Sequence, residues 1–223
     1  MKRILAIFAH PDDETFACGG SLTKWAEEGA EITLLCATRG EAGRRMGDPP
    51  FTTREELPQV REAELRQACE VMGVQYLHFL DIKDKEVELH EPEPLTSILR
   101  DWMEQLKPDL VVTFGLLGRF NYHADHRAVS RCATEAFMSS SHPCMLYYPL
   151  FPAEWEKASE LGLQQKDLVR IEITDTWEKK VTALQAHRTQ MEQEKWLWQR
   201  DSARERIAMF EAFIPVIHPK LEK

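Results

Sequence analysis

Short apolar runs alternate with longer stretches of helical periodicity along most of this 223-residue chain, and no other feature narrows its fold as much. The runs Arg3–Ala9, Glu31–Ala37, Tyr76–Leu80, Leu110–Phe114, Met145–Tyr148 and Leu168–Ile173 have the length of strands. Helical patterns occupy Cys18–Glu28, Leu57–Met72, Pro94–Leu106 and Asp125–Ser139 between them. Alternation at this spacing predicts βαβ units, an α/β class and a mostly parallel sheet. Gly29, Gly73 and Pro108 stand where those helices should stop. Thr176–His187 and Gln190–Ala212 read as further helices, which predicts a C-terminal helical segment. Neither a repeat nor a low-complexity linker divides the chain, so residues 1–223 read as one domain.

Two of the apolar runs end in chemistry. The first passes directly into Ala9-His10-Pro11-Asp12-Asp13-Glu14, and the run Leu110–Phe114 leads through Gly115–Asn121 to His123-Ala124-Asp125-His126. Open α/β sheets carry their sites where strands end at their carboxyl edge. A hydrolytic zinc keeps three protein ligands and one open position, and His10, Asp13 and His126 would make such a set. The three-residue step from His10 to Asp13 lets both face one point, while Asp12 stays free to take a proton from water. His123, with Asp125 as its orienting carboxylate, could stabilise an oxyanion or protonate a leaving amine, and a carboxylate on its ring would raise its pKa. Taken singly, each cluster has a bland reading. His10 could be a strand-end histidine, Glu14 and its neighbours helix N-terminal acids, and Asp125 an N-cap between two surface histidines. The pair of clusters is what those readings leave unexplained. Cys18 reads as a small buried side chain, and Gly19-Gly20 does not satisfy a dinucleotide fingerprint. Arg39–Pro58, rich in Gly, Pro and Arg, reads as a long loop over the site.

Composition removes several classes. A formal charge of −9 offers nothing to nucleic acid or an anionic membrane. The apolar start is short and interrupted by charge, unlike a signal peptide, and no run approaches a membrane span. Five scattered cysteines without a C-x-x-C pair favour reduced thiols and a cytoplasmic location.

At Ala9–Glu14 and His123–His126 the chain resembles the LmbE/PIG-L family of zinc-dependent N-acetylglucosamine deacetylases. The first motif matches in full; in the second, Ala124 replaces the family's usual proline. Arg61-Glu-Ala-Glu-Leu65 and Ala186-His-Arg-Thr-Gln190 look like weaker family segments. The resemblance implies a Rossmann-like fold with helices on both faces and one Zn2+ per chain, with Fe2+ or Co2+ as alternatives. It implies His10, Asp13 and His126 as metal ligands, Asp12 as general base, and His123 as oxyanion stabiliser or acid with Asp125 behind it. It further implies Arg61 at the sugar hydroxyls, His187 lining the site, and a homo-oligomer such as a trimer or hexamer. Gly43-Arg-Arg-Met-Gly47, Phe51, Arg54-Glu55 and Pro58 make the chain look most like deacetylases of N-acetylglucosaminyl-malate in bacillithiol synthesis. Arg54 and Arg44 are then the candidates for the malate carboxylates, because a guanidinium meets a carboxylate bidentately. The competing readings are an amidase for another N-acetylglucosamine conjugate or chitooligosaccharide, a phosphoesterase, a non-heme iron oxygenase and a non-catalytic sugar binder. A phosphoesterase usually needs two metals, and the sequence supplies ligands for one. An oxygenase or a binder has no use for an uncoordinated Asp12.

Overall fold

The computed structural model describes residues 1–115, 122–151, 154, 162 and 164–221. Its strands are β1 (Arg3–Phe8), β2 (Glu31–Cys36), β3 (Tyr76–Phe79), β4 (Leu110–Thr113), β5 (Met145–Leu150), β6 (Val169–Glu172) and β7 (Phe210–Ile217). They form one sheet in the order β3-β2-β1-β4-β5-β7-β6. Pairing is parallel from β3 through β5, and β7 runs antiparallel to both β5 and β6. The strands β1 and β4 read as unbroken apolar runs because both their faces are covered. Ala6 pairs with Leu34 on one side and Val112 on the other.

Helices α1 (Asp13–Glu27), α2 (Leu57–Met72), α3 (Pro92–Leu106) and α4 (Ala124–Ser139) connect the parallel strands. Crossovers between parallel strands are right-handed. The step from β1 to β2 and the step from β4 to β5 run in opposite directions along the sheet, so α1 and α4 cover opposite faces. The helix α2 packs on α1, and α3 packs on α4. The strand order therefore reverses between β1 and β4. Ile7 lies level with Thr113 there, so the segments after both strands leave the sheet at one edge.

The C-terminal region departs from expectation. Helix α5 (Trp177–Ala186) is where the periodicity put it, but Gln190–Ala212 is not one helix. It breaks into α6 (Arg188–Met191), a 3₁₀ turn at Lys195–Trp198, α7 (Arg200–Arg206) and then strand β7. The charged residues of this stretch imitate an amphipathic helix, and Pro215 argues against an interior strand. In the fold Pro215 is tolerated because β6 pairs only with Phe210–Phe213, leaving the far half of β7 with one open edge.

The strand β7 also explains the Gly19-Gly20 pair. Helix α1 kinks at Cys18 (φ −154°, ψ 24°), which frees the next amides. Gly20 N and Ser21 N donate to the two carboxylate oxygens of Glu211 on β7, at 3.0 and 2.7 Å. The buried Lys180 ammonium completes the charge balance 2.6 Å from Glu211. A Cβ on Gly20 would lie 2.5 Å from the Ile173 side chain. All five cysteines are buried and unpaired. Among the described residues, no helix is long and apolar enough to cross a membrane.

Candidate active site

The turn from β1 into α1 is built around Asp12. Its backbone takes φ 117° and ψ −27°, a left-handed conformation that a side chain other than glycine adopts at a cost. Several contacts hold it there. The Asp12 carbonyl accepts from Thr15 N and Phe16 N to start the helix, and its amide donates to Glu14 Oε2 at 3.3 Å. An aspartate at this position usually caps its helix with the carboxylate. Asp12 does not, and its carboxylate faces the cleft instead, 3.2 Å from Arg61 Nη2. Burial pushes this carboxyl up to about 6 against the pull of Arg61, with Asp13 and Glu14 adding to the rise.

Three donor groups converge beside it. His10 Nδ1 lies 3.1 Å from His126 Nε2 and 3.3 Å from Asp13 Oδ2, and His126 Nε2 lies 3.2 Å from Asp13 Oδ1. Asp13 is folded back over the turn by the His10 amide, which donates to it at 2.7 Å. The His126 ring stacks on Phe114 at 4.2 Å between centroids, which holds it against the end of β4. The other nitrogen of His10, Nε2, faces Asp84 Oδ1 at 3.1 Å and Asp125 Oδ2 at 3.2 Å. Two carboxylates there hold a proton on Nε2, so Nδ1 is the nitrogen turned to His126 and Asp13. The two ring nitrogens, with an oxygen of Asp13 within 3.3 Å of each, are close enough to share one tetrahedral ion, and His123 lies within reach of the same two histidines. Bonds of about 2.0–2.1 Å at such an ion put its ligands about 3.3–3.4 Å apart. Burial works against charge on His10, but Asp125, Asp13 and Asp84 outweigh it and hold the imidazole well above its usual range. His126 and His10 overcome the effect of burial on Asp13 and hold it well below the carboxylate range. The donor set fits a divalent cation.

His123 lines the cleft and Asp125 is buried behind it, but their connection differs from expectation. The Asp125 carboxylate does not orient His123. It bonds His10 Nε2 and accepts from the Lys85 amide at 2.6 Å. His123 is the N-cap of α4, and its Nδ1 accepts from the Asp125 backbone amide at 3.2 Å. That bond puts the ring proton on Nε2. The predicted rise in the His123 pKa is also reversed, since burial and the neighbouring His10 and His126 hold it low.

The arginines divide by task. Arg61 lines the cleft, but its guanidinium is taken up by Gly40 O at 2.9 Å, Pro11 O and Asp12. Gly40 (φ 66°) permits this, because a Cβ there would overlap the guanidinium at 1.9 Å. Arg44 lines the cleft too. Arg54 does not reach it; it donates to the carbonyls of Glu41 and Gly43 at 2.9 and 2.6 Å and so braces the loop from behind. His187 does not line the cleft either. Its ring is fully buried, 3.4 Å from Glu14 Oε1 and from Thr15 Oγ1, because α1 stands between it and the cavity. Glu14 is an acid of the first turn of α1, as its position implies, and it is wholly buried there.

Asp84 and Lys85, after β3, went unnoticed in the sequence. The signal was a third cluster of charge past a strand, Asp81-Ile-Lys-Asp-Lys85. The loop 37–56 has no helix or strand, as expected, and its residues 42–44 floor the cleft. The segment Gly115–Asn121 lies outside the described residues from 116 on. The cleft has a volume of about 380 Å3, in the usual range for a small-molecule site. A second cavity of about 360 Å3, between Phe16, Leu184, Trp196 and Phe210, is mostly apolar. Lys180 and Glu211 in its wall satisfy each other, whereas the histidines and aspartates that could hold an ion line the first.

The PIG-L family model, described as GlcNAc-PI de-N-acetylase, matches residues 5–137. The chain is 33% identical over 190 residues to the "Probable N-acetyl-alpha-D-glucosaminyl L-malate deacetylase 2" of Bacillus anthracis, covering 85% of this chain and 81% of that protein. It superposes on the N,N'-diacetylchitobiose deacetylase of Pyrococcus horikoshii with a TM-score of 0.74 at 21% identity, over 97% of this chain and 84% of that one. It also superposes on GalB, the 4-carboxy-2-hydroxymuconate hydratase of Pseudomonas putida, with a TM-score of 0.68 at 21% identity and 97% coverage of both. These two structures share the fold with this chain. They carry different reactions, so the fold alone does not select one.

Proposed function

From a chain that belongs to the PIG-L family, we propose an N-deacetylase that removes acetate from an N-acetylglucosamine conjugate, N-acetylglucosaminyl-malate being the substrate favoured by its relatives. Residues 1–223 act as one catalytic domain. The observation that carries this reading is an uncoordinated carboxylate, Asp12, beside three donors spaced for a single ion.

His10, Asp13 and His126 would hold the metal, with Zn2+ the ion that their donor set suits. A zinc at these ligands supplies Lewis acidity toward a carbonyl oxygen and a water. Asp12 takes the proton as that water adds to the acetyl carbon, and returns it to the amine as the C–N bond breaks; the products are acetate and the free amino sugar. Arg61 aims the Asp12 carboxylate and keeps it ionised. His123 is held neutral with its proton on Nε2, so it serves as hydrogen-bond donor to the oxyanion of the tetrahedral intermediate rather than as a proton source. Asp125 and Asp84 hold the His10 proton that keeps Nδ1 available. Arg44 reaches for the aglycone. Arg54 supports the loop on which Arg44 stands, and His187 supports the helix start through Glu14.

The test is acetate release from N-acetylglucosaminyl-malate, from an uncharged N-acetylglucosaminide and from N,N'-diacetylchitobiose, with chelated enzyme as control and with Zn2+, Fe2+ and Co2+ restored separately. Release from the first two that vanishes on chelation is the expected result. No acetate from any of them overturns the reading. Two metal ions per chain would revive a phosphoesterase.

A further inference from the structure

Among the described residues, Arg44, Arg61 and Lys85 are the lysine and arginine side chains that line the cleft. The Nη1 and Nη2 of Arg61 are taken up by Gly40, Pro11 and Asp12, and its Nε is buried. Arg44 and Lys85 have no carboxylate partner among the described residues, in a chain of net charge −9. Their neighbours are paired. Arg39 meets Glu62 and Asp81, and Arg45 meets Glu194.

The two loops that carry these free cations are tied to each other. The Ala42 amide donates to Asp84 Oδ2, and the Asp84 amide donates to Glu41 Oε1, both at 3.0 Å. Arg54 clamps the Arg44 loop through the carbonyls on either side of Ala42. Lys85 itself has φ 71°, a left-handed conformation that lysine takes only when surroundings impose it. The imposing contact is its amide on Asp125 Oδ2 at 2.6 Å, the same oxygen that bonds His10 Nε2. A strained lysine is thus fixed at a set place relative to the metal-side histidine, where glycine would sit without cost.

We infer that Lys85 is a specificity-determining residue, whose ammonium, with the Arg44 guanidinium on the facing loop, forms a subsite for an aglycone bearing carboxylates. The inference rests on the deacetylase reading above and adds to it the part of the cleft that selects the conjugate. Two separate cations on two tethered loops suit two carboxylates on a short chain. A single phosphate is more often met by backbone amides and a bidentate arginine.

The test compares kcat/KM for N-acetylglucosaminyl-malate, methyl N-acetylglucosaminide and N-acetylglucosamine 1-phosphate in wild type, Lys85→Gly, Lys85→Arg and Lys85→Gly with Arg44→Ala. Lys85→Gly keeps the amide on Asp125 and relieves the backbone, so its thermal midpoint should not fall. The malate-to-methyl ratio should drop about tenfold in Lys85→Gly, through KM, as expected for loss of one charge-assisted contact. It should drop further in the double variant and be largely kept in Lys85→Arg. Added salt should lower the wild-type ratio and leave that of the double variant unchanged. An unchanged ratio in Lys85→Gly, a wild type indifferent to the malate group, or a preference for the 1-phosphate overturns the subsite while the deacetylase reading stands. Release of acetate from none of the three overturns both.

Discussion

Asp12 and Asp13 are adjacent and chemically identical, yet the turn gives them opposite surroundings. Asp13 lies between two imidazoles that hold it ionised, and Asp12 lies between an arginine and two other carboxylates. The left-handed backbone of Asp12 is what turns the two side chains apart. Asp12→Asn should therefore keep the metal and slow turnover roughly 10²–10⁴-fold, the usual worth of a general base. Asp13→Asn should instead lose metal. Metal content by emission spectroscopy beside kcat separates the two, and equal behaviour would refute the division. Pro11 precedes this turn and Arg61 bonds its carbonyl, so the most strained residue of the site is also among its most heavily anchored.

Helix α1 depends on a partner from the other end of the chain. Its kink frees two amides that donate to Glu211, and a Cβ on its Gly20 would meet Ile173. Gly20→Ala should overpack this contact and cost about 1–3 kcal/mol, measured as a shift of the urea midpoint. An unshifted midpoint would mean that the corner yields freely. On the other face, α3 is fastened to the end of α4 through Glu104. Its carboxylate accepts from Ser140 Oγ at 3.0 Å and from the Ser141 hydroxyl and amide. The Ser141 bonds, then that to Ser140, bring the carboxyl down to about 2, and Lys220 contributes. A carboxyl lowered on folding stabilises above its unfolded value, near 4.3, and that contribution disappears as pH falls through about 2. Glu104→Gln should be less stable than wild type at neutral pH, and the gap should close between about pH 4 and pH 2. A gap independent of pH would show that the carboxylate charge is not what these bonds use.

Across the whole molecule, the site lies where the strand order reverses, between β1 and β4. The proposed ligands come from the turn into α1 and from the start of α4, helices that cover opposite faces of the sheet. A bound ion therefore ties the two helical layers together. Chelation should lower the thermal midpoint, Zn2+ should restore it in proportion to its occupancy, and His126→Ala should abolish the shift along with metal content. A midpoint indifferent to chelation would place any metal elsewhere. Much of this was legible in the chain. The βαβ alternation, the covered apolar strands and the two polar clusters are local patterns, and steric rules such as crossover handedness carry them into three dimensions. That His10, Asp12, Asp13 and His126 meet in one cleft was legible for the same reason, since each follows directly from a strand end or a helix start. What required the tertiary structure was every relation between segments far apart in sequence. The Asp125 carboxylate turned to His10 instead of His123 because the β3–α3 loop delivers the Lys85 amide beside it. Asp84 joined the site, and Arg54 and His187 left it, through packing that no periodicity encodes. The strand β7 replaced a helix because strand pairing is a property of the partner, and its partners lie some 40–65 residues upstream in β6 and β5.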